Sequence, residues 1–346
     1  MKIKNQPENL LEWIALRANL APLPLVDTQV AFNSARAIMA AAELGIYEAI
    51  GKGSKTFEEV ASICNTHAEA TKHLMNALVG IGYLQWSNGK YSLKPKLYKW
   101  LLKESESNLI GKLKFQLLEW DWMSKLENYV RTGQTLEMHG RLSANEWERY
   151  QEGMRDLSTT AAKELAPKIP VPAGATAMLD IGGSHGLYSI ELCKKHPALN
   201  STIMELPGAV EAASSIAKRY DTTGRVHYIG GNALTDKLGS EKYDLIMINN
   251  VVHHFTHEQN IALAKKIATA LKPNGIYAIG EFERTDKPGE GGVVGATTGL
   301  YFSLTSSSGT WSASEMQGWQ KNAGLKIEKT IAPMSIPGWK MFVARK

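Results

Sequence analysis

The sequence predicts an α/β protein: an open, Rossmann-like, largely parallel sheet preceded by a mainly helical winged-helix module. Three observations predict this. After residue 172, short β-branched runs alternate with amphipathic stretches, the pattern of successive βαβ units. Before it, apolar residues recur mostly at helical spacing. Between the two, Lys168-Ile-Pro-Val-Pro-Ala-Gly174 sets two prolines and a glycine where no helix continues.

The length of 346 residues exceeds the roughly 100–200 of one comfortable core, so more than one domain is expected. The divisions fall at 1–103 for the winged-helix module, 104–172 for a helical bridge and 173–346 for the sheet domain. With 44% hydrophobic and 21% charged residues the chain can fill a core. A net charge of +5 is too small over this length to imply nucleic acid or a membrane surface. Cys64 and Cys193 show no CxxC spacing, so neither a disulfide framework nor a zinc site is indicated, which fits a reducing cytoplasm. Lys2 and Lys4 open the chain, but Glu8, Glu12 and Arg17 interrupt any leader-like apolar core, and secretion is not expected. No window approaches the roughly 18–20 apolar residues of a membrane span.

Within the first module, Ala31 to Ile50 reads as one long buried helix ended by Gly51 and Gly53. Thr56-Phe-Glu-Glu59 and Thr66-His-Ala-Glu69 read as capping boxes that open two further helices. Tyr83 to Trp86 and Lys90 to Leu93 flank an Asn-Gly turn, the usual hairpin signal. Helices plus a hairpin make a winged helix. A DNA-reading role is disfavoured because Ala68 to Val79 offers only Lys72, His73 and Asn76 as readers. The bridge reads as helices carrying Trp120, Trp122, Met123 and Leu126, then a Ser143-Ala-Asn-Glu146 capping box leading to Tyr150 and Met154; such stripes usually pack.

In the third part, Ala177 to Ile181 is a buried strand, Gly182-Gly-Ser-His-Gly186 a tight turn, and Leu187 to Lys195 an amphipathic helix. A dinucleotide fingerprint ending at Gly186 would need glycine at 181, where Ile stands. S-adenosylmethionine has no pyrophosphate to cradle, and needs a backbone free of Cβ atoms at the strand end, which Asp180, Gly182, Gly183 and Gly186 supply. The second strand, Ser201 to Glu205, ends in a carboxylate that a ribose diol can address. Since Pro207 opens a helix, Glu205 also has a plain reading as a helix N-terminal acid. Strands at 225–229 and 243–248 lead into Gly230-Gly-Asn-Ala233 and Asn249-Asn-Val-Val-His-His-Phe255, so four loops converge on one sheet edge.

On these residues, with Leu126 to Gly133, Glu205-Leu-Pro207 and Gly280-Glu281, the chain from about residue 30 onward resembles the winged-helix-containing small-molecule O-methyltransferases of bacteria and plants, a class I methyltransferase group. The resemblance implies a seven-stranded sheet with an antiparallel last strand, S-adenosyl-L-methionine as cofactor, and a homodimer built through the N-terminal domain. It carries cofactor contact to Gly182, Glu205 with Leu206, Asn232 with Ala233, and Asn249. Asn232 stands where Asp is usual, and Asn249 where plant members often carry Lys.

The family's general base is a histidine after the fourth strand, which matches His253, with His254 beside it as the other candidate; an imidazole titrates in the useful range. Glu281 matches an acid that orients the base, while Thr310 holds the place of a second one. Thr256-His-Glu-Gln259 and Ser312-Ala-Ser-Glu315 read as capping boxes, and a metal site from His253, His254 and His257 lacks a recognisable spacing. By the same resemblance Trp120, Met123, Tyr150, Met154 and Phe302 wall a pocket for a small acceptor. Hydroxyl methylation is the leading expectation. Carbon or nitrogen methylation, or a non-methylating use of the sulfonium, stands as the alternative.

Overall fold

The computed structural model describes Pro7 and residues 9–346; Lys2, Lys4 and Glu8, used in reading the N-terminus, lie outside the described residues. Two compact units divide at residues 117/118, inside the helix Ile110–Met123, whereas the sequence places boundaries at 103 and 172.

In the first unit the long helix expected over 31–50 is two helices, Ala31–Glu43 and Ile46–Ile50. Gly45 separates them at φ 78°, a left-handed conformation that ends one helix and starts the next. The Thr56 capping box closes in both directions, Glu59 N to Thr56 Oγ1 at 3.3 Å and Thr56 N to Glu59 Oε2 at 2.7 Å. The second box does not form. His67 caps the helix Ala68–Ile81 through Nδ1, which accepts from Ala70 N at 3.4 Å, while the Thr66 hydroxyl meets that of Thr71 at 2.7 Å. Strands β1 (Ser54–Lys55), β2 (Leu84–Ser87) and β3 (Lys90–Leu93) form a small antiparallel sheet in the order β1-β3-β2. Asn88 and Gly89 make the hairpin turn at φ 51° and 77°. Ile46, Tyr47, Met75, Leu78 and Leu93 fill its core.

The second unit is built on a seven-stranded sheet of β4 (Ala177–Ile181), β5 (Asn200–Glu205), β6 (Val226–Gly230), β7 (Tyr243–Asn249), β8 (Leu271–Phe282), β9 (Lys326–Ile331) and β10 (Trp339–Arg345), in the order β6-β5-β4-β7-β8-β10-β9. All pairs are parallel except those of β10, which runs antiparallel to both β8 and β9.

Strand alternation divides the core. Leu179, Ile181, Ile246, Ile248 and Ile279 enter one cluster with Leu263, Ile267 and Trp319 from the helices His257–Ala270 and Ala313–Asn322. Met178, Leu245, Met247, Ile276 and Ala278 enter the other with Leu165 and Ile190 from the helices Ala144–Leu165 and Leu187–Lys195. A sheet covered on both faces requires apolar runs rather than alternation, which is why β4 and β7 read as buried strands. The chain steps outward from β4 to β6 and then returns to start again at β7, so a switch point opens between β4 and β7 at their carboxyl ends.

Candidate active site

A cavity of ≈ 340 Å³ occupies that switch point. Of the residues expected to hold the cofactor, Gly182, Gly183, Glu205, Leu206, Asn232, Ala233 and Asn249 line it. Asp180 and Gly186 do not; they stand behind the loop. The Asp180 carboxylate is fully buried and accepts from Ser189 Oγ at 2.7 Å, and Gly186 at φ 75° caps the helix Leu187–Lys195.

Gly182 is required twice over. Its φ is +65°, and a Cβ built on it would lie 2.5 Å from Val251 Cγ2, so β4 and the loop after β7 approach as closely as they do only because no side chain intervenes. The loop is then fastened by Ser184. Ser184 N donates to Glu205 Oε1 at 2.6 Å, its carbonyl accepts from Tyr228 OH at 2.7 Å, and its hydroxyl donates to Gln151 Oε1. Leu206 N completes the hold on Glu205 through Oε2 at 3.3 Å.

Burial pushes the Glu205 carboxyl up to about 7, against the lowering pull of those two backbone amides. Asp180, its buried neighbour, is likewise pushed up by burial to about 7.

The polar groups fit S-adenosylmethionine. Both amide atoms of Asn249, which lines the cavity, are buried without a protein partner, an arrangement that invites a ligand. The Glu205 carboxylate retains lone pairs for a ribose diol. Asn232 departs in part from its expected role: Oδ1 accepts from Leu234 N at 2.9 Å, so the side-chain oxygen holds the loop.

At the end of β7, His253 Nδ1 lies 2.8 Å from Glu281 Oε2, and Glu281 Oε1 accepts from Phe282 N at 2.9 Å. The pair is buried, His253 at 3% and Glu281 at 0% exposure. Phe302 stacks on the His253 ring, centroids 3.9 Å apart at 9°, which places this expected pocket residue against that imidazole rather than on the cavity surface. His254 does line the cavity, its ring centroid 4.1 Å from that of His253. Burial, then the two neighbouring imidazoles, hold His254 well below the usual histidine range.

Tyr150 and Met154 line the cavity; Trp120 and Met123 do not. They belong to the last turn of the helix Ile110–Met123, which ends half-buried before the wall-forming helix Ala144–Leu165 begins. Thr310 is buried but does not line the cavity, and its carbonyl accepts from Arg284 Nη1 at 2.8 Å. Both late capping boxes form, and Glu315 also pairs with Arg284 at 2.7 Å. His257 Nδ1 accepts from the Trp319 indole at 3.2 Å, and no three acidic, cysteine or histidine groups are placed to hold a metal among the described residues.

Sequence reasoning missed His139, Trp147, Gln151, Ser158 and Ser306, all cavity-lining. Trp147, Gln151, Met154 and Ser158 fall on one face of a single helix, and two polar residues within that stripe were the available signal. His139 precedes a glycine in an irregular segment and carries no periodic cue. Replacing Gln151 by leucine strips the Ser184 hydroxyl of its partner and is expected to weaken S-adenosylmethionine binding on the order of tenfold, read by calorimetry.

A parallel sheet whose antiparallel β10 inserts between β8 and β9, with a glycine turn after β4 and a buried acid closing β5, is the class I methyltransferase arrangement, whose methyl donor is S-adenosylmethionine. The O-methyltransferase domain family matches residues 124–326 and the O-methyltransferase dimerisation domain residues 26–101, and the chain belongs to the O-methyltransferase family. It is similar to a 3-hydroxy-5-methyl-1-naphthoate 3-O-methyltransferase of Streptomyces sahachiroi, 24% identical over 90% of this chain and 91% of that protein. An N,N-dimethyltransferase of Streptomyces rimosus is 25% identical over 74% of this chain and 76% of its own length. Human N-acetylserotonin methyltransferase, solved in complex with S-adenosylmethionine, shares the fold at a TM-score of 0.81 and 17% identity, covering 99% of both chains.

Proposed function

We propose that the protein methylates a hydroxyl of a small aromatic or apolar metabolite, with His253 as general base. The observation that carries this reading is the 2.8 Å contact between His253 Nδ1 and Glu281 Oε2 inside a buried pair. Bound S-adenosylmethionine supplies an electrophilic methyl group on a sulfonium. Glu281 accepts a hydrogen bond from Nδ1–H, which fixes the tautomer and leaves Nε2 to take the proton of the acceptor hydroxyl. Phe302 holds the imidazole plane, while Tyr150 and Met154 shape the acceptor space. Glu205 receives the ribose hydroxyls, and Gly182, Gly183 and Asn249 give the donor a close backbone and amide surface. The defining test is product mass and regiochemistry: an O-methyl ether and S-adenosylhomocysteine are expected from purified protein and a phenolic acceptor.

His254 as the base is the second reading, favoured by its place on the cavity wall. His254→Ala is expected to lower turnover less than His253→Ala does; the reverse order would exchange their roles.

Residues 1–103 serve dimerisation, 104–172 contribute to the acceptor pocket and 173–346 bind the cofactor. Leu10, Leu11 and Leu20 are exposed by 69%, 78% and 74%, an apolar strip that a second copy of this chain would cover. Neither nucleic acid nor a membrane is a partner in this reading, and the cytoplasm is its compartment. Among the described residues no helix is long and apolar enough to cross a membrane.

The carboxyls add a pH dependence. Burial raises Glu205 from 4.5 and Asp180 from 3.8 to about 7, so the folded state binds protons more readily than the unfolded one. The cofactor-free fold therefore loses stability as pH rises from the ordinary carboxylate range through about 7. A ribose diol donating to Glu205 favours the charged form, so S-adenosylhomocysteine affinity is expected to rise between about pH 6 and about pH 8. Calorimetry across that range checks it, and Glu205→Gln should flatten the dependence.

A further inference from the structure

We propose that Ser306, together with His139, forms a second anchoring point that reads an uncharged oxygen on the acceptor ring beside the hydroxyl to be methylated. This rests on the acceptor reading given above and names its substrate class: hydroxyarenes bearing a neighbouring carbonyl or hydroxyl, rather than simple phenols or hydroxy acids.

Ser306 is 2% exposed, lines the cavity, and its hydroxyl has no hydrogen-bond partner in the protein. A buried hydroxyl left unpaired works against the fold, and its chemistry is completed by a ligand oxygen that accepts its proton. Its location is specific. Ser306 N donates to the Phe302 carbonyl at 2.9 Å, one helical turn from the ring that stacks on His253. Ser306 and the ring that covers His253 thus stand on neighbouring turns of the same segment, and the proposal takes a second ring substituent of the acceptor to meet the serine.

His139 approaches from the other segment of the wall. Leu136 N donates to the Leu304 carbonyl at 2.9 Å and ties the two segments together. The His139 ring meets His254 edge-on at 4.5 Å and stacks on Trp147 at 5.6 Å. Burial lowers its imidazole to about 4, so it is neutral at physiological pH and offers one donor and one acceptor nitrogen.

Charge selects among possible oxygens. Among the described residues those lining the cavity include Glu137 and Glu205 but neither lysine nor arginine, so a carboxylate on the acceptor would meet no cationic side chain there. A carbonyl or phenolic oxygen carries no such penalty.

The test uses the full-length protein saturated with S-adenosylhomocysteine and titrated calorimetrically with 1-naphthol, 2-acetyl-1-naphthol and 1-hydroxy-2-naphthoate, which share one ring system. The acetyl compound is expected to bind about tenfold more tightly than either of the others, because only it offers an uncharged partner. Ser306→Ala should reduce its affinity to that of 1-naphthol while leaving S-adenosylhomocysteine affinity unchanged. The same variant should keep or raise the thermal midpoint, whereas a purely structural serine would lower it. His139→Phe, which keeps a ring in place, should also cut the preference. Equal binding of the two uncharged compounds, tighter binding of the naphthoate, a preference that survives Ser306→Ala, or no binding of any of the three overturns the proposal. Failure of S-adenosylhomocysteine itself to bind overturns the cofactor site as well, and so separates the two readings.

Discussion

His253→Ala is expected to lower turnover by roughly 10²–10⁴-fold while S-adenosylmethionine affinity stays within about twofold. The asymmetry follows from where the residue stands. His253 is stacked under Phe302 and bonded to Glu281, whereas the loop at Ser184 is held by Glu205, Tyr228 and Gln151. The substitution removes the proposed general base and leaves a fully buried carboxylate without its imidazole partner, so some stability is also lost. Glu281→Gln separates the two effects: it keeps a hydrogen-bonding group beside Nδ1 but removes the charge that favours the imidazolium, and an intermediate loss is expected. Initial rates at saturating cofactor, paired with calorimetric affinity, check both variants. Turnover of His253→Ala within about threefold of the parent would remove histidine-assisted deprotonation from the mechanism.

Gly280→Ala is expected to destabilise the second unit by about 2–4 kcal/mol, a fall of several degrees in thermal midpoint. A Cβ at Gly280 would overlap both Asn249 Oδ1 and the Trp339 indole. Neither neighbour can retreat easily. Trp339 Nε1 donates to Asn250 Oδ1 at 2.8 Å and its ring is 1% exposed, while Asn249 lies on β7, paired in register with Gly280 itself. Since Asn249 also lines the cavity proposed to hold the cofactor, S-adenosylhomocysteine affinity should drop together with stability, and Gly280→Val should exceed both effects. A thermal scan showing an unchanged midpoint would mean the strands separate more freely than their packing implies.

Much of the fold was legible because burial leaves a periodic mark. The apolar runs of β4 and β7, the Asn88-Gly89 turn and the Thr56, Ser143, Thr256 and Ser312 caps are local signals, and all stand in the structure. The break at Gly45 and the cap at His67 were lost because nearby signals outweighed them: a continuous apolar stripe in one case, a Thr-x-x-Glu pattern in the other.

The site divides in the same way. Gly182 and Glu205 end strands and announce themselves in one dimension. His139 and Ser306 reach the cavity only because distant segments meet there, tied by the bond from Leu136 to Leu304, and nothing within either segment reports that meeting. Asp180 shows a further limit: sequence spacing suggests ligand contact, but the packed helix behind the turn claims its carboxylate through Ser189.

The insertion of β10 has a consequence for how the catalytic unit matures. Residues 339–345 supply the second hydrogen-bonded flank of β8, and Lys340 lies opposite Glu281 in that pairing. During ribosomal synthesis the strand that flanks Glu281 is therefore translated well after Glu281 itself. The glycine turn, some 150 residues earlier, is thus in place before β8 has both of its neighbours.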